Sequence, residues 1–541
     1  MRLNSVNALT LGVSTVLLFS SIQLLIGQTG SNQQNYRDWP LAGRTLSGAR
    51  NQPHENLINS SNASMLAPAW VFTTGAGVSA TPTVSGDAVY FPDWAGNLYA
   101  VNKNTGQQIW QHQISDYDGV SGALARVSPA IRGDELILGD IENESTTHDG
   151  ANVMAVDRKS GSLRWITKVD SQNVAIITGS PVVFDNVVYQ GISSNEEFLA
   201  NGTNYQCCIF RGGMVALNAD TGAILWKMYD MPENGGQPGG YSGGAIWQAP
   251  AIDARRGLLY VGTGNNYSVP ASVETCEAQA IANNDAAADC TDSNDYFDTA
   301  LALELSTGKL RWANTRRIRW SKRAQDFDVW TVACLLNPAN CPSPHGPDYD
   351  FGGSGPNLLG NMVGFGEKSG VYWAFNPDNG NVLWSATAGP GGTLGGIEWG
   401  TATDGLRIYA AIANNSHTPY TLVPSGQTIT QGSWSALDAS SGNLLWQTAD
   451  PNPAGMDVGA LSVSNGVVYA SSLSAACSNN VCDNNMFALD ATTGKVLWSF
   501  ASGGSVAGGP SIVNGMVYWG SGYPRFGFTP NNQLYAFTVP H

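Results

Sequence analysis

A chain of 541 residues with 63 glycines and only 13% charged residues has the profile of turn-rich β structure, not of a helical bundle. Its formal net charge of −16 speaks against a nucleic-acid partner, whose phosphates call for basic patches. The eight cysteines and six histidines form no zinc-ligand set, and no C-x-x-C-H stretch offers a covalent haem attachment.

In chain order, residues 1–27 come first. Arg2 precedes an apolar run, ALTLGVSTVLLFSSIQLLI (8–26), and small and polar residues follow it. This reads as a secretory signal, or as an anchor where it stays uncleaved, and it points to a periplasmic or secreted protein. No other run of eighteen apolar residues occurs, so no further membrane span is expected. The cysteines fall in close sets, 207/208, 276/290, 334/341 and 477/482, which together with export favour local disulfides. A lead segment (28–66) is followed by APAWVFTTG (67–75), a lone strand bearing Trp70.

A repeat then begins. Seven segments share one form: AVNKNTGQQIW ending at Trp110, AVDRKSGSLRW at Trp165, ALNADTGAILW at Trp226, ALELSTGKLRW at Trp312, AFNPDNGNVLW at Trp384, ALDASSGNLLW at Trp446 and ALDATTGKVLW at Trp498. Each is a β run, a turn whose glycine supplies a positive φ, and a second β run closed by Trp. Upstream of most lie two more alternating strands, as in ATPTVSGDAVYFPD (80–93) and GGPSIVNGMVYWGSG (508–522). Four antiparallel strands per unit, repeated, is the sequence form of a propeller blade. The last unit stops at NQLYAFTVP (532–540) without its Trp strand, and the strand at 67–75 supplies it. The expectation is an all-β, eight-bladed propeller over 67–541, its tryptophans packed between blades and its ring closed by the N-terminal strand.

Function is expected where single blades depart from the repeat. Blade three carries GISSNEE (191–197) and then the adjacent Cys207 and Cys208; blade four has GGYSGGAIWQ (239–248), YVGTGNNYS (260–268) and CTDSNDYFDTA (290–300). Blade five has VGFGEKSGVYWAF (363–375) and blade six opens GPGGTLGGIEWG (389–400). Across a trans peptide two Cα atoms stand about 3.8 Å apart, short of the usual disulfide span of roughly 4.4–6.8 Å. A Cys207–Cys208 bond therefore closes a strained eight-membered ring.

With these insertions the chain resembles the eight-bladed quinoprotein alcohol dehydrogenases, which use pyrroloquinoline quinone and Ca2+, and among them the polyvinyl-alcohol-dehydrogenase-like branch. The resemblance covers the mature chain and implies oxidation of an alcohol, polymeric or secondary, to a carbonyl compound. It implies oxygen ligands for calcium from Glu196, or its neighbour Glu197, with Asn265 and Asp295. Trp247 matches the residue on which the quinone stacks, and Lys368 the lysine at its rim. Arg126 is a candidate partner for a quinone carboxylate and Trp399 a candidate floor. A base must take the alcohol proton. The family's Asp-Asn pair is here the reversed Asn294-Asp295, so Asp295 is the first choice of base and Asp298 the second. Cys207–Cys208 is a candidate lid over the quinone, although relatives carry such a ring one blade earlier. Without a haem motif, a separate electron acceptor such as a cytochrome c-like protein is implied. The competing reading is a cofactor-free propeller scaffold that binds protein or glycan partners.

Overall fold

The computed structural model describes residues 37–141, 149–285, 290–315, 348–392, 394–478 and 481–540. The N-terminal run read as a signal and the 334/341 cysteine pair lie outside them. Eight antiparallel sheets form the ring. Their innermost strands are Thr83–Ser85, Ala130–Arg132, Val182–Phe184, Ala251–Asp253, Asn357–Leu359, Ala402–Thr403, Ser462–Ser464 and Ser511–Val513. In blades one to seven the four strands run outward in chain order. Blade eight holds three strands from the end of the chain, and Ala67–Thr73 pairs antiparallel with Gln533–Thr538 as its outermost. The expected closure is present.

The repeat has a packing reason beyond its turn. The Trp110 indole donates to the Arg158 carbonyl (3.0 Å), Trp165 to Ala219 (2.8 Å), Trp226 to Leu305 (2.9 Å) and Trp446 to Ala491 (3.1 Å), each on the next blade. Trp498 reaches Leu66 (2.8 Å) and Trp70 reaches Lys103 (3.0 Å), so the same contact crosses the closure. Except at Trp498, the turn glycine of the next blade lies under the ring. A Cβ on Gly308 would stand 2.4 Å from Trp226, and one on Gly380 2.5 Å from Trp312. One residue thus serves a left-handed turn and a close approach.

The lead segment lies against the inner edges that face the channel. Trp39 bridges Val84; the carbonyls of Pro40, Leu46, Ser47, Ala49 and Arg50 accept from the backbone N–H of Ile131, Ile252, Leu358, Thr403 and Val463; and Gln52 donates to the Ile512 carbonyl. Innermost strands would otherwise leave backbone groups unpaired. The lead is a belt across seven of the eight blades, with Trp39 and Ile58 fully buried.

In such a ring, the connections between second and third strands, and those between blades, emerge on one face. The departures from the repeat sit there. Blade three gains a short strand, Ala175–Ile176, paired with 193–194, and blade four a small sheet of 242–243 with Asn266–Ser268. A helix, Ala271–Ala282, is clipped by Cys276–Cys290, and Cys477–Cys482 closes a hairpin. Among the described residues no helix is long and apolar enough to cross a membrane.

Candidate active site

On the face carrying these connections lies a cavity of about 260 Å³. Arg126, Trp247, Asn265, Lys368 and Trp399, drawn from between residues 126 and 399, all line it. The sequence singled out each of them, and ring closure brings them together.

Trp247 opens blade four with one face toward the cavity. Its indole N–H lies 3.1 and 3.3 Å from the two carboxylate oxygens of Asp350. Gly352 and Gly353 pass its edge, where a Cβ would fall 2.4 and 2.7 Å from the ring. Lys368 comes from the turn of blade five, held by its backbone N–H on the Asp350 carbonyl (3.1 Å). Its ammonium lies 3.2 Å from Asp348, 3.5 Å from Asp350, 4.0 Å from Glu398 and 5.4 Å from the centre of the Trp247 ring.

Burial works against the Lys368 charge, but Asp348, Asp350 and Glu398 outweigh it and hold the ammonium well above the ordinary lysine range. Burial pushes Asp350 up to about 7, with Lys368 opposing and Asp348 assisting. It pushes Glu398 up to about 8, again against Lys368. The sequence reading missed Asp348, Asp350 and Glu398. The signal for the first two was an Asp-x-Asp alternation before the blade-five strand, which turns both side chains to one side.

The tandem acids of blade three part company. Glu196 is fully buried, accepting from the Tyr205 hydroxyl (2.6 Å) and from the backbone N–H of Ile209 (2.7 Å) and Phe210 (2.8 Å). It organises the loop that carries Cys207 and Cys208. Glu197 instead lines the cavity, where the surrounding protein, more than Asp348, raises its carboxyl above the ordinary range.

Cys207 and Cys208 are bonded to each other, through a cis peptide and with Cα atoms 3.1 Å apart, where the sequence reading took a trans geometry. The pair does not line the cavity. Cys207 packs on the carbonyl of Tyr267, and it is Tyr267, stacked on Phe210, that faces the cavity. As a wall, the disulfide lies one layer further out than a lid over the cavity.

The two aspartates considered as base also differ. Neither is in the cavity lining; Asp295 is fully buried, with a carboxylate oxygen accepting from Asn266 (2.9 Å). Asp298 accepts from the Asn265 amide (3.2 Å) through one oxygen, while its other oxygen is buried without a partner. Burial, then Asp350 and Asp348, hold its carboxyl well above the ordinary range. The opposite wall, with Val458, Leu473, Tyr523 and Phe526, is apolar.

The lining suits a flat, polyanionic group beside a hard cation. Trp247 offers an aromatic face and Lys368 a rim charge, while the Arg126 guanidinium makes no hydrogen bond or ion pair among the described residues. No set of three or more His, Cys, Asp or Glu side chains among the described residues is arranged to hold a metal alone. A cation here would draw on the Asn265 amide oxygen together with the Glu197 carboxylate, both in the lining.

The PQQ_2 family model, described as outer membrane protein assembly factor BamB, matches residues 55–206, 210–485 and 430–539. A polyvinylalcohol dehydrogenase of Pseudomonas sp is 30% identical over 522 residues, covering 90% of this chain and 73% of that protein. A second, from Sphingopyxis sp. (strain 113P3), is 30% identical over 504 residues, covering 84% and 68%. Among solved structures, quinohemoprotein alcohol dehydrogenase from Comamonas testosteroni superposes with a TM-score of 0.64 at 19% identity, over 93% of this chain and 82% of that one. A europium-containing methanol dehydrogenase gives 0.62 at 16%, over 93% and 98%.

Proposed function

Because the chain belongs to the quinoprotein alcohol dehydrogenases, in the branch of the polyvinyl alcohol dehydrogenases, we propose that it oxidises an alcohol to a carbonyl compound with pyrroloquinoline quinone and Ca2+. The observation that carries this reading is the convergence of Arg126, Trp247, Asn265 and Lys368 on one cavity.

The quinone, when bound, supplies a two-electron acceptor for the hydride that leaves the carbinol carbon. Trp247 gives its plane a face, and Lys368 and Arg126 meet its oxygens and carboxylates. Asn265 and Glu197 are the calcium ligands that the cavity geometry favours, with Glu196 holding the loop behind them. Asp298 takes the alcohol proton, its unpartnered oxygen being the acceptor, and Asp295 supports Asn266. With a cation held by Asn265, whose amide meets Asp298, the ionised carboxylate would be favoured against the effect of burial. The apolar wall from Val458 to Phe526 suits a methylene-rich substrate, in keeping with the polymer named for the two curated relatives. Electrons pass on to a cytochrome c-like acceptor. The N-terminal apolar run and the disulfides support a periplasmic or secreted setting.

The test is reconstitution of the purified protein with quinone and Ca2+, followed by dye reduction with a panel of primary, secondary and polymeric alcohols. Quinone binding with alcohol-dependent dye reduction is expected. Asp298→Asn should lower kcat by about 10²–10⁴-fold with quinone still bound, and Asp295→Asn by less. Absence of both binding and reduction would leave the scaffold reading.

A further inference from the structure

Between the candidate active site and the belt, the channel holds a second chamber of about 70 Å³. Its lining includes two arginines, Arg50 of the belt and Arg126, with Thr81, Ser128, Ser180 and Gln248, and among the described residues no acidic side chain. Arg50 is 6% exposed. Its Nε donates to the Leu461 carbonyl (2.5 Å), Nη1 to the Ala42 carbonyl (2.8 Å), and Nη2 to the hydroxyls of Thr81 (2.9 Å) and Ser462 (3.4 Å). All four acceptors are neutral, and a fifth N–H, on Nη1, is left over. Burial, with no carboxylate to offset it, pushes the Arg50 pKa down to about 10. Glycines make room for the group: a Cβ on Gly509 would lie 2.2 Å from Nη2.

A buried cation without an anion is costly, and a second guanidinium on the same chamber raises that cost. The hydroxyls are set to help. Thr81 accepts from Arg50 and Ser180 accepts from the Ser128 backbone N–H (3.0 Å), so each hydroxyl keeps its own proton to donate. The volume is well below the few hundred Å³ usual for an organic ligand. We propose that this chamber is a binding site for a small monovalent inorganic anion of the halide class, held between Arg50 and Arg126 and by the hydroxyl protons of Thr81 and Ser180. The anion neutralises the buried end of the belt and shares only the Arg126 guanidinium with whatever occupies the larger cavity above, since Arg126 lines both chambers.

Bromide is the probe. Crystals of the quinone-free protein soaked in bromide should show an anomalous peak between the two guanidinium groups. Thermal unfolding should show saturable stabilisation by bromide over gluconate at equal ionic strength. Arg126→Gln is the informative variant, because Arg126 makes no side-chain hydrogen bond among the described residues and its loss should leave folding intact; it should raise the half-saturating bromide concentration at least tenfold. Thr81→Val should raise it less. With saturating quinone the peak should persist. An empty chamber, equal stabilisation by bromide and gluconate, an Arg126→Gln titration like that of the parent, or displacement of bromide by quinone would each overturn the site.

Discussion

Lys368 sits among three carboxylates and beside Trp247, and among the described residues no other ammonium lines that cavity. Lys368→Gln should therefore abolish quinone binding and lower activity at least 100-fold, as read by fluorescence titration and dye assay. The acids it holds also imprint the pH dependence of stability. Glu398 has an ordinary value of 4.5 and is held at about 8 in the fold, chiefly by burial. Below pH 4.5 both folded and unfolded chains keep that proton. Between 4.5 and 8 only the unfolded chain releases it, so stability falls as pH rises, and above 8 no further loss follows. Urea unfolding of the quinone-free protein should show this decline, and Glu398→Gln should flatten it. Trp247, Asn265 and Lys368 were legible because each sits in a local motif. Asp348, Asp350 and Glu398 were not, because their role exists only when loops of different blades meet over Lys368. Glu196 and Glu197 could not be told apart, since a short helix beginning at Glu196 turns neighbours in different directions.

At the scale of the blade, the repeated glycine answers to two constraints that one pair of variants separates. Gly466 and Gly494 both belong to blade seven, with φ of +81° and +71°. A Cβ at Gly466 meets nothing within 4 Å, whereas one at Gly494 would stand 2.4 Å from the Trp446 ring. Gly466→Ala should cost about 1 kcal/mol, the left-handed penalty alone, and Gly494→Ala clearly more, as measured by chemical denaturation. The turn was readable from sequence as a φ requirement. The ring beneath it was not, because its partner Trp belongs to the preceding unit. The blade count and its four-strand form were readable in full from the repeat and from the missing strand at the end.

The ring as a whole is fastened twice, by the Ala67–Thr73 strand in blade eight and by the belt along the channel. Only the first was legible, because a Trp-bearing strand without a blade announces itself. The belt has no periodicity, and its backbone hydrogen bonds leave no mark on residue type. Deleting residues 37–66 while keeping the closing strand removes several buried apolar side chains worth about 2 kcal/mol each. The shortened protein should lose at least about 10 °C in melting temperature by calorimetry.

The belt also dictates an order of events. Arg50 donates to the carbonyl of Leu461, 411 residues later, and Gln52 to that of Ile512, 460 residues later. The stretch synthesised near the start has no seat until almost the last of the polypeptide has emerged. Until then its tryptophan and buried arginine wait in solvent, and blades made early have nothing along their inner edges. Such distant pairings slow folding and lengthen exposure to aggregation. A chaperone that shields the nascent N-terminal stretch should therefore raise the yield of this protein more than one acting on the finished blades.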